Sequence, residues 1–179
     1  NTRANILITG ETGVGKSAVA KTIHAMSDRA DKPFIEVNCA VLHENLIESE
    51  LFGYEKGAFT GASSTGKIGK IELANGGTLF LDGIGELPTH IQSKLLQLIQ
   101  EKTIERVSGI RRIELDIRLI VATNRNLEEE VHRGLFRSDL FYRLNVIRLH
   151  IPPLRQRPED ILPLAHRSLT RFCEEHHKY

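Results

Sequence analysis

The run Gly10-Glu11-Thr12-Gly13-Val14-Gly15-Lys16-Ser17 fits the spacing G-x-x-x-x-G-K-[ST], which suits it to wrapping phosphates. Its glycines let successive backbone N–H groups turn inward around phosphate oxygens. Lys16 can meet the β- and γ-phosphates of a nucleotide, and the Ser17 hydroxyl can ligate magnesium. The run follows an apolar strand and opens a helix, the context this chemistry needs. The spacing by itself does not separate ATPases, GTPases and small-molecule kinases. A second acid, Asp82, ends the apolar run Gly77-Thr-Leu-Phe-Leu. A carboxylate there can hold a magnesium shell or cap the next element.

The segment Gly57-Ala58-Phe59-Thr60-Gly61-Ala62 has a different character. Glycines at 53, 57 and 61 loosen the backbone. Phe59 sits among them without periodic apolar neighbours. Such an aromatic either folds back onto a core or meets another protein.

The elements that must position these residues are read from hydrophobic patterning. Short apolar runs alternate with helical periodicity, which predicts an α/β fold around a parallel sheet. Strands are predicted at Asn5–Thr9, Phe34–Val37, Thr78–Leu81, Ile117–Ala122 and Val146–Ile151, and helices at Lys16–Met26, Glu44–Phe52, Thr89–Glu101 and Glu159–His176. In Thr89–Glu101 the apolar residues Ile91, Leu95, Leu98 and Ile99 share one face. Ile104–Val107 and Arg112–Leu115 flank Ser108-Gly109 as a hairpin. Pro152-Pro153 closes the last strand and marks a subdomain boundary.

With 179 residues and 40% apolar content, the chain can bury one real core. A net charge of +1 gives no bulk electrostatic case for nucleic acid or membrane. Residues 1–90 carry 8 Lys+Arg and residues 91–179 carry 16, so cations gather late, as a solvated face or as arginines aimed at phosphates. Cys39 and Cys173 lack metal or disulfide spacing, which points to a reducing compartment. No signal peptide and no apolar run of about twenty residues is present, so a cytoplasmic location is expected.

From Asn5 to about Ile161 the sequence resembles the bacterial sigma-54-dependent transcription activators, a branch of the AAA+ ATPases. The resemblance is carried by the phosphate loop, by Glu48-Ser-Glu-Leu-Phe-Gly-Tyr-Glu-Lys with Gly57–Ala62, and by Phe34-Ile-Glu-Val-Asn38-Cys-Ala. It continues in Gly77–Asp82, Glu105-Arg-Val-Ser-Gly109, Ile120-Val-Ala-Thr-Asn124-Arg, Phe136-Arg137-Ser-Asp-Leu-Phe-Tyr-Arg143 and Leu154-Arg-Gln-Arg-Pro-Glu-Asp-Ile161. It implies a P-loop NTPase of the AAA+ kind, a three-layer α/β/α subdomain over residues 1–155 with a five-stranded parallel sheet of order 5-1-4-3-2. Residues 156–179 would begin a helical lid. It further implies ATP and Mg2+ as ligands, with Ser17 and Asp82 on the metal and Asn124 reading the γ-phosphate or the attacking water. Asn38 would pair with a catalytic Glu. Arg137 and Arg143 would act as arginine fingers on a neighbour's nucleotide, whereas two such arginines alone read as surface residues. Gly57–Ala62 would touch sigma-54 through Phe59 and Thr60.

The implied activity is ATP hydrolysis in a hexameric ring that remodels the sigma-54 RNA polymerase closed complex. Promoter or enhancer DNA would be met through a domain outside this chain, and a segment seating adenine and a fuller lid would flank it. One departure bears on catalysis. Where the family carries Asp-Glu, this chain reads Asp82-Gly83-Ile84-Gly85-Glu86. Gly83 has no side chain to orient water or accept a proton. Hydrolysis is therefore in doubt, and the alternative is a module that binds ATP and sigma-54 without turnover.

Overall fold

The computed structural model describes residues 4–41, 44–60, 63 and 65–176. The elements run β1 (Ile6–Thr9), α1 (Lys16–Ala25), β2 (Phe34–Asn38), α2 (Glu44–Phe52), β3 (Gly53–Tyr54), β4 (Lys67–Ile68), α3 (Lys70–Leu73) and β5 (Thr78–Asp82). They continue with α4 (Thr89–Glu101), β6 (Thr103–Glu105), β7 (Arg112–Glu114), β8 (Arg118–Thr123), α5 (Leu127–His132), α6 (Ser138–Leu144), β9 (Ile147–His150) and α7 (Ile161–His176).

The main sheet has five parallel strands in the order β2-β5-β8-β1-β9. Counted among themselves and read from the β9 edge, these strands run 5-1-4-3-2, as the family resemblance implies. The inner strands are covered on both faces and so carry unbroken apolar runs. Alternation along each strand sorts the side chains between two layers. Leu7, Leu79, Leu81 and Val121 join the larger cluster, with Ile91, Leu95 and Leu98 of α4. Ile6, Ile8, Phe80, Ile120 and Ala122 meet Ala20 of α1 on the other face. The edges differ, as edges must: in β9 the residues Arg148, Leu149 and His150 are all exposed. Buried Arg29 ties α1's exit to the sheet, donating to the Gly77 carbonyl at 2.9 Å and to the Asp116 carboxylate at 2.8 Å. This is a layered α/β fold around a parallel sheet.

Several boundaries depart from the sequence expectation. Helix α7 begins at Ile161; Pro158–Asp160 form a 3-10 turn, because proline at the first position starts a turn but cannot continue a hydrogen-bond ladder behind it. The hairpin strands are shorter than expected, and residues 106–111 form a broad loop instead of a tight turn at Ser108-Gly109. The reason is tertiary. Val107 donates to the Gly53 carbonyl at 2.9 Å and accepts from the Glu55 N–H at 3.1 Å. Arg106 reaches Glu72 at 2.9 Å and Glu55 at 3.3 Å. The loop is thus pulled onto the base of the Gly57 segment.

Candidate functional site

The parallel register brings four polar residues to the carboxyl edge of the sheet. Asn38 lies opposite Asp82, Asp82 opposite Ala122, and Thr9 opposite Thr123. Asn124 follows directly. Ligands of open α/β sheets sit at this edge. A cavity of about 320 Å³ opens there, lined by Thr12, Gly13, Gly15, Lys16, Ser17, Asn38, Ala40, Asp82, Gly83, Glu86 and Asn124.

Between β1 and α1 the loop carries Gly13 at φ 84° and Gly15 at φ 103°, left-handed conformations that favour glycine. A Cβ on either would meet nothing within 4 Å, so the cradle is open at both glycines. Lys16 is buried, 8% exposed. Its ammonium donates to the Gly10 carbonyl at 3.0 Å and the Glu11 carbonyl at 2.8 Å. That arched cation, with open glycines around it, fits a polyphosphate. Ser17 and Asp82 line the same space, and their hydroxyl and carboxylate oxygens are the donor types a hard divalent cation takes.

Asn124 donates from Nδ2 to the Thr12 hydroxyl at 3.0 Å, so the β8 end touches the phosphate loop itself. The Asn38 Oδ1 accepts from the Ala40 N–H at 3.0 Å, a turn of its own, while the residue lines the cavity. Next to it, Cys39 is buried, and its thiol pKa is pushed up to about 12 by burial and then by the Asp82 charge. Glu86 is ion-paired with Arg125, which also reaches buried Glu130 at 3.4 Å.

The remaining loop residues face a second cavity of about 410 Å³, where Glu11 and Val14 meet Pro153, Leu154, Arg155, Arg157 and Leu164. Arg155 binds the Glu11 carboxylate, with one contact at 2.9 Å, and this hydrogen bond holds Glu11 below the usual carboxylate range. Arg157 donates to the Val14 carbonyl at 2.8 Å. Sequence reasoning assigned neither arginine a place; the run Leu154-Arg-Gln-Arg was the available signal.

Arg137 and Arg143 stand apart from both cavities. Arg137 precedes α6 and is held by Asp139 at 2.8 Å and Ser93 at 3.1 Å. That pairing keeps Asp139 below its ordinary pKa. Arg143, in the last turn of α6, is exposed. In the Gly57 segment, Phe59 is 46% exposed and meets Tyr54 edge-on at 5.0 Å between ring centroids. It is therefore neither a core residue nor free of contact. Gly57, Ala58 and Thr60 are described around it; Gly61 and Ala62 lie outside the described residues.

Comparison with known proteins adds ancestry to this geometry. The Sigma-54 interaction domain family matches residues 1–150. The Nif-specific regulatory protein of Azospirillum brasilense is 55% identical over 173 residues, covering 97% of this chain and 28% of the relative. The regulatory protein AtoC of Escherichia coli K12 is 55% identical over 176 residues, 98% of this chain and 38% of the relative. The chain thus spans well under half the length of these relatives. Among solved structures, NtrX from Brucella abortus in complex with ATP superposes with a TM-score of 0.88 at 39% identity, over 97% of this chain and 37% of that one.

Proposed function

Since the chain belongs to the sigma-54 interaction domain family, we propose that it is the ATP-binding AAA+ module of a sigma-54-dependent transcription activator, coupling nucleotide state to remodelling of the sigma-54 RNA polymerase closed complex. The observation that carries this reading is the convergence of Lys16, Ser17, Asp82 and Asn124 on one cavity at the sheet's carboxyl edge. In this reading the Gly10–Ser17 backbone and Lys16 hold the β- and γ-phosphates. Ser17 and Asp82 hold magnesium, which when bound neutralises charge building on the phosphate oxygens. Asn124 senses the γ-phosphate, and Asn38 faces it from β2. Residues 1–155 form the nucleotide-binding subdomain and 156–179 begin the lid.

Arg137 and Arg143 act in trans in this account, each reaching a neighbouring subunit's nucleotide within a hexameric ring. Support comes from their position on the surface, away from this chain's own cavity. A planar guanidinium suits the charge that gathers on a transferring phosphoryl group. Gly57–Ala62 engages sigma-54 through Phe59 and Thr60, supported by the partial exposure of Phe59 on a braced stalk. Contact with promoter DNA belongs to another domain of the protein, in the cytoplasm. NtrX was solved with ATP, which supports ATP as the nucleotide.

Gly83 favours a slow or non-hydrolysing form of this machine, one that binds ATP and sigma-54 with little turnover. Phosphate release by the intact protein, compared with its Gly83→Glu variant, tests this directly. A water-orienting carboxylate is worth about 10²–10⁴-fold where no other group directs the water, so a gain of up to that size is expected. Equal rates would overturn the idea that Gly83 limits turnover.

A further inference from the structure

The cavity beside the phosphate loop contains three ionisable side chains, Lys16, Asp82 and Glu86. Lys16 is a cation fixed on two loop carbonyls. Asp82 stands with Ser17, where the magnesium reading uses its oxygens. Glu86 is left, a carboxylate without a task in that reading. Its backbone placement has a specific cause. Gly83 adopts φ 76° and ψ 38° as the cap of the 3-10 turn Ile84–Glu86, a left-handed conformation that costs other residues roughly 1–2 kcal/mol. The Gly83 N–H donates to Ala122 O at 2.9 Å, and Glu86 N–H donates back to Gly83 O at 2.9 Å. This tight turn folds Glu86 back over the cavity. The Glu86 Cγ lies 3.7 Å from the point a Cβ on Gly83 would occupy, so the Glu86 side chain runs alongside the space that a side chain at 83 would enter. Arg125 engages Oε2 of Glu86. Among the described residues, Oε1 has no hydrogen-bond partner.

We propose that Glu86 is the carboxylate that directs the attacking water in this chain, in the space beside Gly83. The inference rests on the ATP-binding reading above. Water oxygen bonds to the γ-phosphorus while the bond from that phosphorus to the β–γ bridging oxygen breaks. The bridging oxygen leaves with ADP. The water proton passes to the Glu86 carboxylate and from there to solvent. Arg125 fixes one carboxylate oxygen and leaves the other for the water.

The test is a double-substitution cycle in the intact protein, using Glu86→Gln, Gly83→Glu and the pair together. MgATP affinity is measured by calorimetry, and kcat and KM by phosphate release. Glu86→Gln should lower kcat about 10²-fold or more while MgATP affinity stays within about twofold. In the Gly83→Glu background, with a second carboxylate present, the same substitution should cost less than about fivefold. That inequality separates a chemical role from a merely structural Glu86–Arg125 pair, which would give equal losses in both backgrounds and overturn the proposal. A kcat within about threefold of the unsubstituted protein would also overturn it, as would ATP binding without any turnover before substitution. If the unsubstituted protein fails to bind MgATP at all, the ATP-binding reading itself falls and takes this one with it.

Discussion

Truncating Phe59 separates a partner-facing aromatic from a structural one. The ring is 46% exposed and its aromatic contact is Tyr54, edge-on at 5.0 Å. Full burial of a Phe side chain is worth about 1.5–3 kcal/mol, so half burial contributes about 1 kcal/mol. The edge-on pair adds about 0.5 kcal/mol. Phe59→Ala should therefore cost about 1.5 kcal/mol, which lowers Tm by roughly 3–6 °C in a domain of this size. A core Phe would cost roughly 3–5 kcal/mol and about twice that fall or more. As an interface anchor, the same ring should be worth about 2 kcal/mol or more of sigma-54 binding, a loss of about 30-fold. Thermal unfolding and a sigma-54 pull-down in an ATP transition-state analogue, both on the intact protein, give the two numbers. A Tm fall beyond about 10 °C, or retention of sigma-54 binding, would refute the contact role.

If the arginine fingers act in trans, subunits carrying Arg143→Ala mixed with subunits carrying Lys16→Ala, all with Gly83→Glu, should recover part of the ATPase rate. No recovery in rings shown to co-assemble would assign Arg143 to its own subunit. Cys39, with its thiol pKa raised from 9.0 to about 12, should be about one part in a thousand thiolate at pH 9, against half for an ordinary thiol. Iodoacetamide should accordingly spare Cys39 and alkylate partly exposed Cys173, as peptide mass mapping would record; rapid labelling of Cys39 would contradict its burial. The raised pKa also fixes a sign: the thiol's contribution to stability is intact below pH 9 and is lost as pH rises towards 12. Denaturant midpoints should decline over that window, and less in Cys39→Ala.

The phosphate loop was legible because its information is local. Glycines, a lysine and a hydroxyl at fixed spacing, between an apolar strand and a helix, specify one backbone path. All five main strands were legible to within a residue at each end, the three inner ones because buried parallel strands write continuous apolar runs. The fifth, β9, is an edge with Arg148 and His150 exposed, and it was drawn a residue too long at each end. Strand order was carried by family resemblance; no periodicity encodes it. Helices α3, α5 and α6, of 4, 6 and 7 residues, are too short to establish a 3.6-residue period. Yet α5 left a trace: Asn126 accepts from the Glu128 N–H and three acids follow it, an N-cap with a favourable first turn.

Other features depend on partners far along the chain. Arg155 on Glu11 and Arg29 on Asp116 join residues 144 and 87 positions apart, and neither pair has a local signature. The hairpin loop is shaped by Arg106 meeting Glu72 and Glu55, so its turn chemistry alone misled. The acid series Asp82-Gly83-Ile84-Gly85-Glu86 was visible, but not that a left-handed Gly83 would fold Glu86 over the cavity.

The central claim is that this cavity holds MgATP by its phosphates, and calorimetric titration of the intact protein against its Lys16→Ala variant tests it most directly. Lys16 is the buried cation at the cradle, with Nζ on the Gly10 and Glu11 carbonyls. A charge-assisted contact of this kind is worth about 1.5–3 kcal/mol, so the substitution should weaken MgATP binding by about 10- to 100-fold, with thermal unfolding confirming that the variant stays folded. Saturable MgATP binding that drops by that factor is the predicted result. Unchanged affinity in a folded Lys16→Ala protein, or no binding before substitution, would contradict the account.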